Sequence, residues 1–156
     1  MKAFLLFLLV VAGFSDRALA ERVCTEIGCS DGLTLSVDPD YDWKWGFYEF
    51  NFLMEGRSVS CKGQLPLKKC EDGPSFRCSS DITQIGESGC ALPESAHGIS
   101  GIHINDTPRR MIVLVKRGGK SVITRTLNPE YLESRPNGPG CGPVCTSASY
   151  NLLTAD

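Results

Sequence analysis

Apolar and polar side chains alternate along several short stretches of the chain, and no stretch repeats apolar residues at helical spacing over three turns. Residues 48–54 carry Tyr, Phe, Phe and Met at every second position, which places these four side chains on one face of an extended segment. Glu55-Gly56 follows, and a glycine at the end of a two-residue turn can take the positive φ that a tight hairpin needs. The pattern therefore predicts a β-hairpin from Tyr48 to Cys61.

A second hairpin is predicted around Gly118-Gly119. Residues 111–115 are apolar on both faces, and residues 122–126 are rich in β-branched side chains. Two residues without a Cβ can adopt the primed turn that matches the twist of the flanking strands. A run that is apolar on both faces indicates a central strand covered by two layers.

Further strands are predicted at residues 33–37, 99–104 and 148–153. Residues 62–92 combine Gly, Pro, Ser and charge with several cysteines, so we expect a disulfide-stapled loop there with one short strand. About seven short strands separated by frequent turns are typical of a single antiparallel β-sandwich, immunoglobulin-like or transthyretin-like, over residues 21–156. A small β-barrel is the alternative.

The first 20 residues have the order of a secretory signal peptide: Lys2, an apolar run over residues 3–14, and the small-x-small sequence Ala18-Leu19-Ala20. The apolar run is shorter than the roughly 18–20 residues that a membrane anchor needs. We therefore expect cleavage after Ala20 and an exported mature chain, periplasmic or extracellular, with no integral membrane segment.

The charge of the mature chain is small. Loss of the signal peptide removes two basic residues and one acidic residue, which moves the formal net charge from −2 to −3. A weak negative charge without charged blocks gives no electrostatic reason to bind nucleic acid or an anionic membrane. A chain of this length can bury a core of its own, so we expect a monomer.

All eight cysteines follow the predicted signal peptide. In an oxidising compartment, a dense and even set of cysteines indicates a disulfide framework, and the spacings lack the paired Cys-x2-Cys knuckles of zinc sites. The sequence does not choose among the possible connectivities. We expect disulfides among Cys24, Cys29, Cys61, Cys70, Cys78, Cys90, Cys141 and Cys145.

The segment GPGCGPVC, residues 138–145, resembles the Cys-Gly-Pro-Cys of thioredoxin-type redox centres with one extra residue. A redox dithiol is normally held at a helix N-terminus, where the helix dipole favours the thiolate. Here a Pro-Gly loop precedes Cys141, and the alternating residues after Cys145 are typical of a strand. The sequence therefore favours a structural staple at the beginning of the last strand over a thiol-disulfide catalyst.

A hydrolase is the second enzymatic alternative. His103 lies between Ile102 and Ile104, which would face the core and leave the histidine on the solvent side. Ser100, His103 and Asp106 can be drawn as a triad. However, the sequence has neither the Gly-x-Ser-x-Gly turn of such enzymes nor a phosphate-binding Gly-x-x-x-x-Gly-Lys segment. We therefore predict no catalytic residue and no cofactor.

The acidic stretch 38–42 and Glu49 offer oxygen ligands, since Asp38, Asp40, Asp42 and Glu49 match positions of a calcium-binding loop. Trp43 stands where that loop requires glycine, and Glu49 belongs to the alternating strand. We expect a solvated acidic turn and predict no metal site.

Tyr41, Trp43 and Trp45 alternate in the same stretch, so their rings would share one side of an extended segment. Such a row can bind sugar rings or anchor a protein partner, because the rings give a large contact area. The alternative is that both tryptophans cover the open end of the core. We take these three residues as the candidate ligand-binding set, for protein or carbohydrate.

Three short stretches of the chain can be compared with known sequences: the ending RPNGPGCGPVC at residues 135–145, the N-terminal Cys24-x4-Cys29, and the central Gly-Phe-Tyr strand followed by Cys61. They resemble segments of small exported bacterial proteins that have no assigned function. The resemblance implies a periplasmic or cell-surface sandwich domain and carries over no active-site residues.

These features predict an exported, non-enzymatic binding or structural protein of the bacterial envelope or the extracellular space. The alternatives are the two kinds of enzyme described above and a secreted inhibitor that presents residues 62–92 as a rigid loop.

Overall fold

The computed structural model describes residues 23–154, and the predicted signal peptide lies outside these residues. Within them, two one-turn 3-10 helices, Cys70–Asp72 and Glu94–Ala96, have neither the length nor the apolar character needed to span a bilayer. The described strands, in chain order, are β1 (Gly32–Ser36), β2 (Gly46–Met54), β3 (Arg57–Leu65), β4 (Arg77–Cys78), β5 (Thr83–Ser88), β6 (Gly98–Ile104), β7 (Met111–Arg117), β8 (Lys120–Leu127), β9 (Leu132–Ser134) and β10 (Cys145–Asn151).

The strands form two five-stranded sheets. Sheet A has the order β5-β6-β1-β10-β9, and sheet B has the order β4-β3-β2-β7-β8. Inward-facing side chains of both sheets form one hydrophobic core, in which Leu33, Leu35, Phe50 and Phe52 are fully buried. Neither sheet closes on itself. The prediction of an all-β, disulfide-stabilised sandwich is therefore confirmed, and the barrel alternative is wrong.

The first predicted hairpin is confirmed. Strands β2 and β3 pair antiparallel through the turn Glu55-Gly56, in which Gly56 takes a φ of +69°. The alternation along β2 buries Tyr48, Phe50 and Phe52, as the sequence indicates. The rings of Phe50 and Phe52 stack with their centroids 6.5 Å apart. The apolar face of β2 thus supplies the aromatic side of the core.

The second predicted hairpin is also confirmed. Strands β7 and β8 pair antiparallel, and Gly118 and Gly119 take φ values of +54° and +79°. Strand β7 lies between β2 and β8 in sheet B. Its buried positions, Met111, Val113 and Val115, face the core.

Residues 62–92 contain more regular structure than the sequence predicts. Strand β4 pairs with β3, and β5 forms an edge of sheet A beside β6. The prediction of a loop with one short strand is wrong because only Thr83 and Ile85 of β5 pack inward, too few to show a clear alternation. Disulfides Cys61–Cys78 and Cys70–Cys90 close this region.

Among the strand pairs of the described chain, β1 and β10 alone are parallel, with Leu33 opposite Ala148. The sandwich is otherwise antiparallel, as the sequence predicts. Disulfides Cys24–Cys141 and Cys29–Cys145 join the segment before β1 to the loop before β10 and to the first residue of β10. Both strands therefore leave the same stapled end of the molecule in the same direction.

The described cysteines all form disulfides, as predicted. Cys141 and Cys145 do not bond to each other, and each joins the chain around the beginning of β10 to the N-terminal segment through its own bridge. The side chain of Asn137 adds to the staple: its Nδ2 donates to the Ile27 carbonyl, and its Oδ1 accepts from the Ile27 N–H, each at 2.9 Å. One amide side chain thus pairs with the N-terminal backbone as a neighbouring strand would.

Candidate functional site

A groove of about 490 Å³ lies beside the end of β1 and the start of β6. One wall is the segment 37–43, and the other is the segment 95–100. Tyr41 and Trp43 provide its aromatic surface. Carboxylates and hydroxyls provide its polar surface, from Asp38, Asp40, Asp42, Ser88, Ser95 and Ser100.

Trp43 forms the floor of this groove. Its side chain is only 8% exposed, and its Nε1 donates to the Ile99 carbonyl at 3.0 Å. The ring meets Tyr48 edge-to-face with centroids 5.4 Å apart, and a Cβ on Gly98 would lie 3.1 Å from its Cδ1. Trp43 therefore ties the loop after β1 to both sheets, through Ile99 in sheet A and Tyr48 in sheet B.

Tyr41 is the accessible ring of the groove. It contacts Trp43 edge-to-face with centroids 4.9 Å apart and is 39% exposed. An aspartate turn positions it, because Asp38 Oδ1 accepts from the Asp40 N–H at 2.9 Å and the Asp38 carbonyl accepts from the Tyr41 N–H at 3.0 Å. A rigid floor and a hydrogen-bonded turn thus hold this ring at the groove wall.

The groove carries a negative formal charge. No Lys or Arg side chain lines it. Asp42 pairs with the neighbouring Lys44, whereas the carboxylate of Asp40 has no partner among the described residues. Such a lining repels anions and attracts cationic groups.

Glu49, the fourth residue of the calcium-loop pattern, lies away from the aspartates. It is on the outer face of β2, where it pairs with Lys62 at 3.2 Å. Within residues 23–154, no group of three or more His, Cys, Asp or Glu side chains is placed to hold a metal ion.

Trp45 does not join the other two rings of the expected row. It is 60% exposed, whereas Trp43 is buried. The segment 41–46 is not extended throughout as the alternation assumes, because the Trp43 N–H donates to the Tyr41 carbonyl at 3.0 Å and Gly46, after Trp45, takes a φ of +141°. The row is therefore split: Tyr41 and Trp43 belong to the groove, and Trp45 lies outside its lining.

His97, at the side of the groove, is a buried structural residue. Its Nδ1 accepts from the Leu67 N–H at 2.9 Å, and its Nε2 donates to the Leu92 carbonyl at 3.0 Å. Both ring nitrogens are thus used to join the chain after β3 to the segment before β6. The ring offers no free nitrogen for proton transfer.

The residues of the hydrolase alternative are not assembled into a triad. The Ser100 hydroxyl donates to the Gly86 carbonyl at 3.1 Å. His103 Nδ1 lies 3.3 Å from the Thr34 hydroxyl, and Asp106 pairs with Arg57. Since each candidate has its own partner, the arrangement contains no base positioned to activate the serine.

The thiol-disulfide alternative lacks the cysteine pair that its chemistry requires. Cys141 is bonded to Cys24, and Cys145 is bonded to Cys29. A dithiol that exchanges electrons needs both sulfurs in one centre, where one thiolate attacks and the other resolves the mixed disulfide. These four sulfurs instead belong to two bridges with separate partners.

One exposed aromatic residue was missed by the sequence reasoning. Phe47 is 46% exposed because it lies on the outer face of β2, in phase with Glu49 and opposite to the buried Tyr48. The signal is present in the sequence, where Trp45, Phe47 and Glu49 alternate with the core residues. It is hidden by the stronger alternation of the buried face.

Comparisons of the chain with protein-family models, with curated proteins and with solved structures find no match.

Proposed function

We propose that this protein is an exported, non-enzymatic binding protein of the bacterial envelope or the extracellular space, and that its groove receives a basic segment of a protein partner. The observation that carries the proposal is the lining of the groove. It combines the partly exposed ring of Tyr41 with three carboxylates and no cationic side chain.

A Lys or Arg side chain of a partner fits this lining in two ways. Its cationic group is attracted to the face of an aromatic ring, which contributes about 0.5–1 kcal/mol at an exposed site. It also pairs with carboxylates such as Asp40, and each exposed ion pair contributes about 0–1 kcal/mol. Together, these contributions give a modest affinity that depends on several contacts and weakens as salt is raised.

A neutral carbohydrate has less support at this position. Sugar rings need an open aromatic platform, and Trp43 is buried beneath the loop, so Tyr41 is the one accessible ring in the groove. A neutral sugar can hydrogen-bond to the carboxylates, but it gains neither the stacking of an open platform nor the ion pairing that a Lys or Arg side chain gains.

The inhibitor alternative lacks a projecting loop. Residues 62–92 contribute β4 and β5 to the two sheets, and Leu67 and Phe76 of this segment are buried in the core. Its longest continuous exposed run is the seven-residue stretch 68–74, around the 3-10 helix Cys70–Asp72.

Location is inferred from the cysteines and the N-terminus together. Four disulfides fit a protein of an oxidising compartment. The signal-peptide pattern of residues 1–20 and the resemblance to small exported bacterial proteins support export to the periplasm or beyond.

The test uses two short synthetic peptides of equal length, one built from Lys, Arg, Gly and Ser and the other from Glu, Asp, Gly and Ser. We expect the basic peptide alone to shift the amide resonances of residues 38–43 and 95–100 in a nuclear magnetic resonance titration, with weaker binding at higher salt.

Two variants locate the binding. Tyr41→Ala and Asp40→Asn should each weaken the interaction with the basic peptide, while Asp81→Asn removes an exposed carboxylate outside the groove and should leave it unchanged. Equal shifts of residues 38–43 and 95–100 with both peptides, or shifts confined to other residues with the basic peptide, would overturn the proposal.

A further inference from the structure

Four charged residues lie in one row across the outer face of sheet B. Arg77 of β4 is opposite Lys62 of β3, Lys62 is opposite Glu49 of β2, and Glu49 is opposite Lys116 of β7. Neighbouring strands are about 4.8 Å apart, so the row extends over roughly 14 Å. Three cations and one carboxylate give this row a positive net charge.

The fold holds two of these cations together against their repulsion. Like charges directly opposite each other on a sheet are destabilising, yet Lys62 and Arg77 occupy such a pair. The adjacent pair is Cys61 and Cys78, which are joined by a disulfide. This covalent bond fixes the two-residue strand β4 beside β3.

The positive charge of the row is not neutralised within the described chain. Lys62 pairs with Glu49 at 3.2 Å, whereas Arg77 and Lys116 have no carboxylate within 4.0 Å. Arg77 is exposed, and 56% of the Lys62 side chain is accessible. Lys116 is half-buried, so the surface offers the two unpaired cations, Arg77 and Lys116, to an external anion.

One exposed aromatic ring lies beside this row, and a second lies immediately before the strand that carries it. Phe47 is two residues before Glu49 on the same face of β2, which places the two about 7 Å apart along the strand. Trp45 precedes it and is the most exposed aromatic side chain of the described chain. Opposite Phe47 on β3 stands Gln64, whose amide can donate and accept hydrogen bonds.

We propose that this surface, defined by Trp45, Phe47, Lys62, Arg77 and Lys116, binds an acidic polysaccharide that carries carboxylate or sulfate groups. The cations pair with the anionic groups, and the aromatic rings stack against the apolar faces of the sugar rings. The chain runs across the strands, along the charged row. The surface is separate from the groove, whose charge is of opposite sign.

A membrane surface fits the same residues less well. Docking on anionic lipid would bring the carboxylate of Glu49 against headgroups of the same charge, and it would bury the amide of Gln64 with the rings, away from hydrogen-bond partners. A polysaccharide instead supplies hydroxyl groups that hydrogen-bond to both side chains.

The experiment measures binding of the full mature protein to alginate, which carries carboxylates, to heparin, which carries sulfates, and to uncharged dextran. We expect alginate and heparin to bind, with affinity that falls as salt is raised, and dextran to bind far more weakly. Absence of binding to both acidic polymers at low salt would overturn the proposal.

A charge variant tests the row itself. Arg77→Gln together with Lys116→Gln should reduce the affinity for alginate roughly five- to thirtyfold, since two exposed ion pairs are lost. Arg109→Gln together with Arg135→Gln removes the same charge outside the row and should have little effect. An equal loss in both double variants would mean non-specific attraction and would refute the proposal.

A ring variant and a lipid control complete the design. Trp45→Ser together with Phe47→Ser should weaken binding without changing its salt dependence, because the lost contacts are uncharged. Tyr41→Ala, in the groove, should leave polysaccharide binding intact. Co-sedimentation with phosphatidylglycerol vesicles that requires Trp45 and Phe47, without binding to alginate or heparin, would identify a membrane surface instead.

Discussion

The ring of Phe76 lies directly against Gly63 of strand β3, where a Cβ would be 2.4 Å from its Cδ1. The ring also meets Phe50 edge-to-face with centroids 5.8 Å apart. The backbone N–H of Phe76 donates to Glu87 Oε1 at 2.7 Å. Phe76 thus covers the position where β3 has no side chain, and it holds the segment between β3 and β4 on the core.

The variant Gly63→Ala should therefore destabilise the protein by about 1–3 kcal/mol, because the added methyl group forces Phe76 out of its position in a packed core. Urea unfolding measures this change. Gly28→Ala is the matched control, since a Cβ there has no heavy atom within 4 Å, and its effect should stay within about 0.5 kcal/mol. Similar losses in the two variants would contradict this account of Phe76.

The two bridges of the terminal staple should not contribute additively. Either bridge closes a loop of more than a hundred residues when it is alone. With one bridge present, the other closes only a ring of about ten residues. Replacing Cys24 and Cys141 with Ser should thus cost about 3 kcal/mol, and loss of both bridges should cost about 5 kcal/mol more.

Urea unfolding of the two single-bridge variants and of the variant without both bridges checks this expectation. Removing one bridge from the intact protein could instead destabilise it as much as removing the last remaining bridge. The two bridges would then act independently, and the paired geometry of the staple would be wrong.

Asn137→Ala should loosen the N-terminal segment. The variant removes the two hydrogen bonds to Ile27, the one to the Gly142 carbonyl and the one from the Thr25 hydroxyl, and the groups left unpaired cost about 1–3 kcal/mol. We expect faster hydrogen exchange at the Ile27 amide and a lower free energy of unfolding. Asn51→Ala, on the outer face of β2, removes an amide without such bonds and should leave exchange at Ile27 unchanged.

Tyr131 should make stability fall in alkaline solution. Burial raises the pKa of Tyr131 to about 12, with further contributions from Asp106, Glu55 and Tyr150, whereas the pKa in the unfolded chain is near 10. Between these values the unfolded state has lost a proton that the folded state keeps. The stabilising contribution is therefore complete below about pH 10 and is lost as the pH rises to about 12.

Unfolding measured between pH 9 and about pH 12 should show a shallower decline for Tyr131→Phe than for the unmodified protein. Burial also raises the pKa of Tyr48, so part of the decline should persist in the variant. Identical slopes in the two proteins would show that Tyr131 does not contribute.

The hairpins could be predicted because their information is local. Alternation in β2 and the turn residues Glu55-Gly56 and Gly118-Gly119 are properties of adjacent positions, and the structure follows them. Strand β5 was missed because it is an edge strand with two inward side chains. Its place in sheet A depends on pairing with β6, which the local pattern does not contain.

The candidate binding set could be predicted only in part. Tyr41, Trp43 and Trp45 are conspicuous in the sequence, but a turn at residues 38–43 replaces the extended backbone that their alternation assumes. Trp43 then finds its hydrogen-bond partner in Ile99 of another strand. The two residues are 56 positions apart in the chain, so no local sequence pattern predicts their contact.

By itself, the sequence determined the all-β class, the alternation of core and surface, and the disulfide framework, because these depend on residue type and on spacing along one segment. Tertiary structure alone decided which cysteines pair, that β1 and β10 run parallel, and that Lys62, Arg77 and Lys116 share one face. Residues that are distant in the chain meet only when the sheets form. The net charge of the chain therefore gives no sign of this cationic row.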